Sequence, residues 1–103
     1  MTSNYDRGRR HEDRAAQHLR ENGYVAQRIA GSHGAFDVVA VNATEVRLVQ
    51  IKAQGAATER DREELRAFGR QVPSCVKVEL WERRRGGWIV QVLNGASQVG
   101  EEG

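Results

Sequence analysis

Two short aliphatic runs joined by a polar turn are the feature that most constrains the fold of this chain. The first run is Val-Val-Ala-Val directly after Asp37, and the second extends from Val46 to Lys52. Residues 42–44, Asn-Ala-Thr, separate them. Runs rich in Val, Ile and Leu indicate strands of a buried sheet. We therefore predict a β-hairpin here, entered through a glycine-bracketed loop at residues 31–34.

Polar residues interrupt this hairpin at a few positions. Asp37 stands at the start of the first strand, and Gln50 and Lys52 lie near the end of the second. Side chains alternate along a strand, so Gln50 and Lys52 point to one face while Ile51 points away. Pairing of the strands can bring an acid, an amide and an amine together. This grouping predicts a functional site.

Length and composition set the wider limits. The chain has 103 residues, 29% of them charged, with a net charge of +2. This composition predicts one globular domain, and we find no membrane-spanning run and no signal-peptide pattern. The single cysteine, Cys75, fits a reducing cytoplasm, and we expect a small buried strand residue rather than a nucleophile. We predict a cytoplasmic protein with no membrane partner.

The remaining chain reads as helices and strands around the hairpin. We predict a helix over residues 7–21, a strand over 24–30, a second helix from Thr58 to Pro73, and strands over 75–83 and 88–93. Thr58 can cap the second helix, with Asp61 three residues later as a weak capping-box partner. Residues 1–94 form the predicted domain, with residues 1–6 flexible and residues 95–103 a flexible tail. This order fits an α/β or α+β sheet with helices packed on it.

The polar grouping on the hairpin suits a divalent metal. Asp37 would supply a hard oxygen ligand, Gln50 its amide oxygen and Ile51 its backbone carbonyl, a set that Mg²⁺ or Mn²⁺ prefers. Lys52 could orient or deprotonate an attacking water. Glu12 falls on the inward stripe of the first helix and could reach the site as an outer ligand. Alternatively, Glu12 is a first-turn glutamate favoured by the helix dipole.

Five short segments carry a resemblance to a known family. They are Arg7-Gly8 with Glu12, Gly23-Tyr24-Val25-Ala26, Gly31-Ser32, Asp37-Val38-Val39-Ala40 and Gln50-Ile51-Lys52. In this order the sequence resembles the PD-(D/E)XK nuclease superfamily, and most closely the archaeal-type Holliday junction resolvases. The resemblance covers about residues 5–54, with a looser match to residue 93. Gln50 departs from the family pattern, which has glutamate there, and Phe36 replaces its proline.

The resemblance implies a fold and an activity. The fold would be α/β, with a central mixed five-stranded sheet flanked by helices in a restriction-endonuclease-like core. The activity would be metal-dependent, structure-selective cleavage of four-way (Holliday) junctions by a homodimer, with Mg²⁺ or Mn²⁺ as cofactor and branched DNA as partner. The implied catalytic residues are Glu12, Asp37, Gln50, Lys52 and Ser32, the last of which would lie at the DNA near the active site. Rival hypotheses are another PD-(D/E)XK repair or restriction-type nuclease, and a non-catalytic DNA-binding relative.

Basic residues near the first helix are candidates for DNA binding. Arg7, Arg9, Arg10 and Arg14 cluster there and could contact phosphates, or they could form an ordinary solvated face. Ser32 and His33 could touch DNA from the glycine loop, or they could be plain loop residues.

Two tryptophans flank the basic turn at residues 83–87. Trp81 and Trp88 could be cross-strand neighbours that close the core, or they could mark a dimer surface. The sequence leaves both interpretations open.

Overall fold

The computed structural model describes residues 4–29, 34–95 and 98–103. Its elements are α1 (Asn4–Glu21), β1 (Val25–Arg28), β2 (Val38–Val41), β3 (Val46–Lys52), α2 (Glu59–Gly69), β4 (Val76–Arg84), β5 (Gly87–Val92) and β6 (Gln98–Glu102). Over these residues, no helix has both the length and the apolar character needed to span a membrane.

The strands of the described residues form one six-stranded mixed sheet in the order β1 to β6. Neighbouring strands are antiparallel except β3 and β4, which are parallel and are connected through α2. Helix α1 packs on β1, β2 and β3, whereas α2 packs on β4. The predicted α/β class with a central mixed sheet flanked by helices is confirmed.

Helix α1 binds the sheet through a stripe of small and aliphatic residues. Ala15, Ala16 and Leu19 are fully or almost fully buried, as the helical spacing predicts. They share a core cluster with Val38 and Val49 of the hairpin. The short alanine side chains allow α1 to lie close to the hairpin. Gln50 and Lys52 lie near the end of this hairpin.

Helix α2 covers the other face of the sheet. Leu65 is fully buried in a second cluster with Val78 and Leu80 of β4. Trp81 belongs to the α1 cluster. Because side chains alternate along a strand, β4 serves both layers, so the two helices lie on opposite faces of the sheet.

The start of α2 follows the capping chemistry that its sequence suggests. The Thr58 side chain accepts a hydrogen bond from the Asp61 N–H, and the Asp61 carboxylate accepts one from the Thr58 N–H. This reciprocal capping box satisfies two backbone donors that would otherwise lack partners.

The C-terminal segment differs from the prediction. Residues 98–102 form β6, which pairs with β5 from Val92↔Gln98 to Trp88↔Glu102, so the prediction of a flexible tail is wrong there and the sheet has six strands instead of five. The segment contains one aliphatic residue, Val99, so no hydrophobic pattern marks it as a strand. Backbone pairing and the contacts of Glu102 hold it instead.

Other element boundaries also differ. Helix α1 begins at Asn4, so residues 4–6 are helical although they were predicted to be flexible; residues 1–3 lie outside the described chain. Strand β1 spans four residues within the predicted 24–30. Cys75 is exposed, which corrects its predicted burial, because it precedes the first residue of β4.

Trp81 and Trp88 lie in the core. They are 0% and 5% exposed, with ring centroids 5.4 Å apart. The interpretation that they close the core is confirmed, and the interpretation that they mark a dimer surface is wrong.

A buried ion pair joins the central strands beneath α1. The Arg47 Nε donates to both carboxylate oxygens of Glu79 at 3.0 Å, and the Arg47 Nη2 donates to Glu102 Oε1 at 2.9 Å. Trp81 Nε1 also donates to Glu79, at 2.8 Å. Burial lowers the pKa of Arg47, but hydrogen bonds and charge from Glu79 outweigh that effect and raise it. Arg47 therefore stays charged inside the protein.

We predict that replacing Arg47 with methionine destabilises the fold strongly. Glu79, only 2% exposed, would be left as an unpaired buried charge, which costs about 3–5 kcal/mol. The matched control is Arg84→Met, which removes the exposed pair between Arg84 and Glu101 and should cost less than about 1 kcal/mol. Urea unfolding measures both. Equal losses of unfolding free energy in the two variants would contradict the prediction.

Candidate active site

The hairpin register places Asp37 beside the end of β3. Val38 pairs with Val49, and the Asp37 N–H donates to the Val49 carbonyl at 2.8 Å. The Ile51 N–H in turn donates to Asp37 Oδ2 at 2.8 Å. Asp37 is therefore tied to β3 through both its backbone and its carboxylate, although it lies just outside β2. The expected meeting of the acid with the Gln50–Lys52 segment is present.

Gln50 presents a buried amide oxygen that has no hydrogen-bond partner among the described residues. Its Nε2 donates to the Ala35 carbonyl at 2.9 Å, which fixes the orientation of the amide. Within the described residues, the buried Gln50 Oε1 accepts no hydrogen bond. A buried acceptor left unsatisfied costs about 1–3 kcal/mol. Gln50 directly precedes Ile51, whose N–H binds the Asp37 carboxylate, and an amide oxygen is a ligand type that hard cations accept.

A second carboxylate lies near Asp37. Burial raises the pKa of Glu12, and the charge of Asp37 raises it further, while Arg28 opposes both effects. Burial also raises the pKa of Asp37, against the Ile51 N–H hydrogen bond and the charge of Lys52. The structure thus brings Glu12 of α1 into electrostatic contact with Asp37. In both acids, burial is the main cause of the raised pKa.

Arg28, at the end of β1, was missed in the sequence. Its Nη1 lies 3.8 Å from Glu12 Oε1, and its Nε lies 3.3 Å from Asp13 Oδ1. Nothing local marks this arginine, because the α1–β1 packing that creates the contact joins residues distant along the chain.

Lys52 ends β3 between two acids. Its Nζ lies 3.5 Å from Asp61 Oδ1 of α2, and its charge lowers the pKa of Asp37. Asp61 was predicted only as a partner in the helix cap. Its second contact follows from the short loop that returns the chain from β3 to α2.

The donor set fits a hard divalent cation. The described residues contain no cluster of three or more His, Cys, Asp or Glu side chains arranged to hold a metal. The available oxygens are instead the carboxylates of Asp37 and Glu12 and the Gln50 amide oxygen, which has no hydrogen-bond partner among the described residues. Carboxylate and amide oxygens are ligands of Mg²⁺ and Mn²⁺. The predicted Ile51 carbonyl ligand lies on the same segment and stays a prediction.

The predicted DNA-binding residues divide into two groups. Arg9, Arg10 and Arg14 are exposed on α1. Arg7 belongs to the helix, but its side chain is outside the described part of the structure, as are Ser32 and His33 entirely.

The basic surface of α1 extends towards β4. Burial lowers the pKa of His11, and the charges of Arg83 and Arg14 lower it further. Arg83 therefore lies in the same positive field as Arg14, which the sequence did not reveal because the two residues are remote along the chain.

Comparison with known proteins decides the family. The family model described as archaeal Holliday junction resolvase (Hjc) matches residues 3–71. The chain belongs to this family. The matched segment extends from the start of the chain to just past α2, so it includes Glu12, Asp37, Gln50 and Lys52. Strands β4 to β6 lie beyond it.

The fold of this Hjc-family chain is also similar to a solved structure. Hjc from Archaeoglobus fulgidus, a Holliday junction resolvase from an archaeal hyperthermophile, superposes with a TM-score of 0.59 at 22% sequence identity. The likeness covers 93% of this chain and 84% of the other. A search of curated proteins found no match.

We predict that Asp37→Asn stabilises the metal-free protein at neutral pH. Because the pKa of Asp37 is raised on folding, its ionised form opposes folding above that pKa, and the penalty disappears as the pH falls through it. In EDTA the variant should melt above the parent at pH 7, and the difference should vanish below about pH 4. Glu64→Gln, on the exposed face of α2, is the control. Identical melting curves at every pH would contradict the prediction.

Proposed function

We propose that this chain is a metal-dependent, structure-selective endonuclease that hydrolyses phosphodiester bonds at four-way (Holliday) junctions during DNA recombination and repair. Family membership supports the resolvase class. The observation that carries the metal-dependent chemistry is the buried Gln50 Oε1, which has no hydrogen-bond partner among the described residues and belongs to the residue before Ile51, whose N–H binds the Asp37 carboxylate.

Asp37 and Gln50 would hold Mg²⁺ or Mn²⁺, with the Ile51 carbonyl and Glu12 completing or supporting the set. When bound, such an ion lowers the pKa of a coordinated water and stabilises negative charge on the reacting phosphate. The Ile51 N–H and the Ala35 carbonyl keep Asp37 and Gln50 in place. The protein therefore supplies ligands that need little reorganisation.

Lys52 and Glu12 would act on the water and the phosphate. The Lys52 ammonium is a compact charge on a flexible stem, able to offset charge on a phosphate oxygen and to orient the attacking water. Glu12 has a raised pKa, and a carboxylate with a raised pKa is a better proton acceptor near neutral pH. Lys52 and Glu12 would act in addition to the metal ion, and both roles require these side chains to lie near Asp37.

Arginines would supply most of the affinity for branched DNA. Arg9, Arg10 and Arg14 are exposed on the first half of α1, the helix that also carries Glu12. Phosphate contacts by such residues fix the register of a protein on DNA. Arg7, Ser32 and His33 are proposed to contribute to the same surface.

We include a homodimer in the proposal. The described residues of one chain form one such acid-amide-amine cluster, whereas resolving a four-way junction requires two symmetric cuts. A two-fold dimer supplies two equivalent sites.

We predict that Asp37→Asn and Lys52→Ala abolish junction cleavage while junction affinity changes by no more than a few-fold, because phosphate contacts dominate affinity. Lys77→Ala, at the only other lysine in the chain, is the control and should cut normally. The assay uses labelled four-way junction, linear duplex and flap DNA with Mg²⁺ or EDTA.

The three substrates separate the rival functions. Cutting of the flap or duplex in preference to the junction would favour a different nuclease of the superfamily. Binding without cutting of any substrate would favour a non-catalytic relative. Full cleavage by Asp37→Asn would remove the proposed mechanism.

We predict that Gln50→Glu lowers the Mg²⁺ concentration for half-maximal cleavage. A full negative charge attracts a dication several times more strongly than an amide dipole does in a partly desolvated site. Calorimetry without DNA should show tighter metal binding by the variant. Gln54→Glu, in the exposed loop after β3, is the matched control. If Gln50→Glu changes neither the Mg²⁺ dependence of cleavage nor the metal affinity measured by calorimetry, Gln50 is not a metal ligand.

A further inference from the structure

Asp61 makes two different contacts with its two carboxylate oxygens. Asp61 Oδ2 accepts hydrogen bonds from the Thr58 N–H at 2.8 Å and from the Thr58 hydroxyl at 2.9 Å. Asp61 Oδ1 lies 3.5 Å from Lys52 Nζ. The cap at the start of α2 therefore needs only one of the two oxygens, and the other faces the lysine of the candidate active site.

The segment that presents Asp61 is held at several points. The Glu82 carboxylate accepts a hydrogen bond from the Gly55 N–H, and the Ala56 N–H donates to the Ala53 carbonyl at 3.0 Å. One turn after Asp61, Leu65 is fully buried. Both the loop and the helix start are thus fixed relative to β3, so Asp61 occupies a defined position beside Lys52.

Lys52 has a choice of carboxylates. Its side chain is 30% exposed and that of Asp61 is 19% exposed, so the pair is partly shielded from water. Asp37, from a different element, also lies within reach of the Lys52 charge. A lysine stem with four rotatable methylenes would otherwise be free to turn to Asp37 and compete with a cation there, or to extend into solvent.

The charge of Asp61 is secured by its cap contacts. The Thr58 N–H hydrogen bond is the largest of several effects that lower the pKa of Asp61, against a smaller opposing effect of burial. The Asp61 carboxylate is therefore ionised at neutral pH and can pair with the Lys52 ammonium.

We propose that Asp61 is a positioning residue, which holds the Lys52 ammonium beside Asp37 and Gln50 through the ion pair and keeps it off the Asp37 carboxylate. The inference rests on the proposed function, because a position for Lys52 matters only if Lys52 takes part in cleavage. It assigns to the first turn of α2 a part in catalysis in addition to its part in folding.

The test compares Asp61→Asn with Thr58→Ala. The asparagine is nearly isosteric and can still accept from Thr58, but it removes the charge that faces Lys52. The alanine removes the hydroxyl of the cap and leaves that charge in place. With saturating junction and Mg²⁺, single-turnover cleavage should fall at least about tenfold in Asp61→Asn, because misplaced catalytic groups cost that much or more. Thr58→Ala should stay within about twofold of the parent after correction for folded fraction.

A second readout does not depend on cleavage. The chain has lysine only at positions 52 and 77, so reductive ¹³C-methylation gives two resolvable lysine side-chain signals in NMR spectra of the metal-free protein. The Lys52 signal should shift and sharpen in Asp61→Asn as the side chain is released. The Lys77 signal should stay unchanged in both variants, and Thr58→Ala should leave the Lys52 signal in place.

The outcomes separate this inference from the proposed function. Unchanged cleavage in Asp61→Asn, equal losses in the two variants, or an unmoved Lys52 signal would each overturn the positioning role while leaving an active nuclease. A parent protein that binds junctions in the same buffer but cuts none would overturn the proposed function, and the positioning role with it.

Discussion

The ion pair between Arg47 and Glu79 is the contact on which the rest of the structure depends. Both groups are buried, and they join β3 to β4, the two parallel strands at the centre of the sheet. Burial of two charges is tolerated only when they meet in good geometry. A slip of β4 by one residue would move Glu79 to the other face. The pair therefore fixes the register of β3, and Gln50 and Lys52 lie further along that same strand.

Arg47 also binds the C-terminal strand, and through that strand it is connected to α1. Glu102 of β6 accepts from Arg47, and its other oxygen lies 3.1 Å from His18 Nε2 of α1. One arginine thus connects β3, β4 and β6, with α1 joined through the histidine. This explains why a polar, acidic segment with a single aliphatic residue forms a strand.

What could be predicted from the sequence is what local chemistry determines. The hairpin, its alternation and the cap of α2 depend on residues close together in the chain, and all were anticipated. The grouping of Asp37 with the Gln50–Lys52 segment was also anticipated, because a single turn connects the two strands. By contrast, β6 depends on Arg47, 55 residues away from Glu102. No periodic pattern encodes a contact of that kind.

The positions missed at the site have the same origin. Arg28 meets Glu12 only through the packing of α1 on β1, and Asp61 meets Lys52 only through the return from β3 to α2. In the sequence each had a sufficient local explanation, as a strand residue or as a helix cap. A residue with one evident local role can carry a second role that only the fold reveals.

The neutral amide at position 50 has an electrostatic consequence for the proposed reaction. Asp37 and Glu12 already have raised pKa values, with burial as the main cause in both, so a third carboxylate would add repulsion to the metal-free protein. An amide oxygen avoids that repulsion, but it attracts a dication less than a carboxylate does. The scissile phosphate would then supply the missing negative charge. In the proposed function, metal and DNA binding are therefore positively coupled, so the cation would be held most firmly when a junction lies in the site.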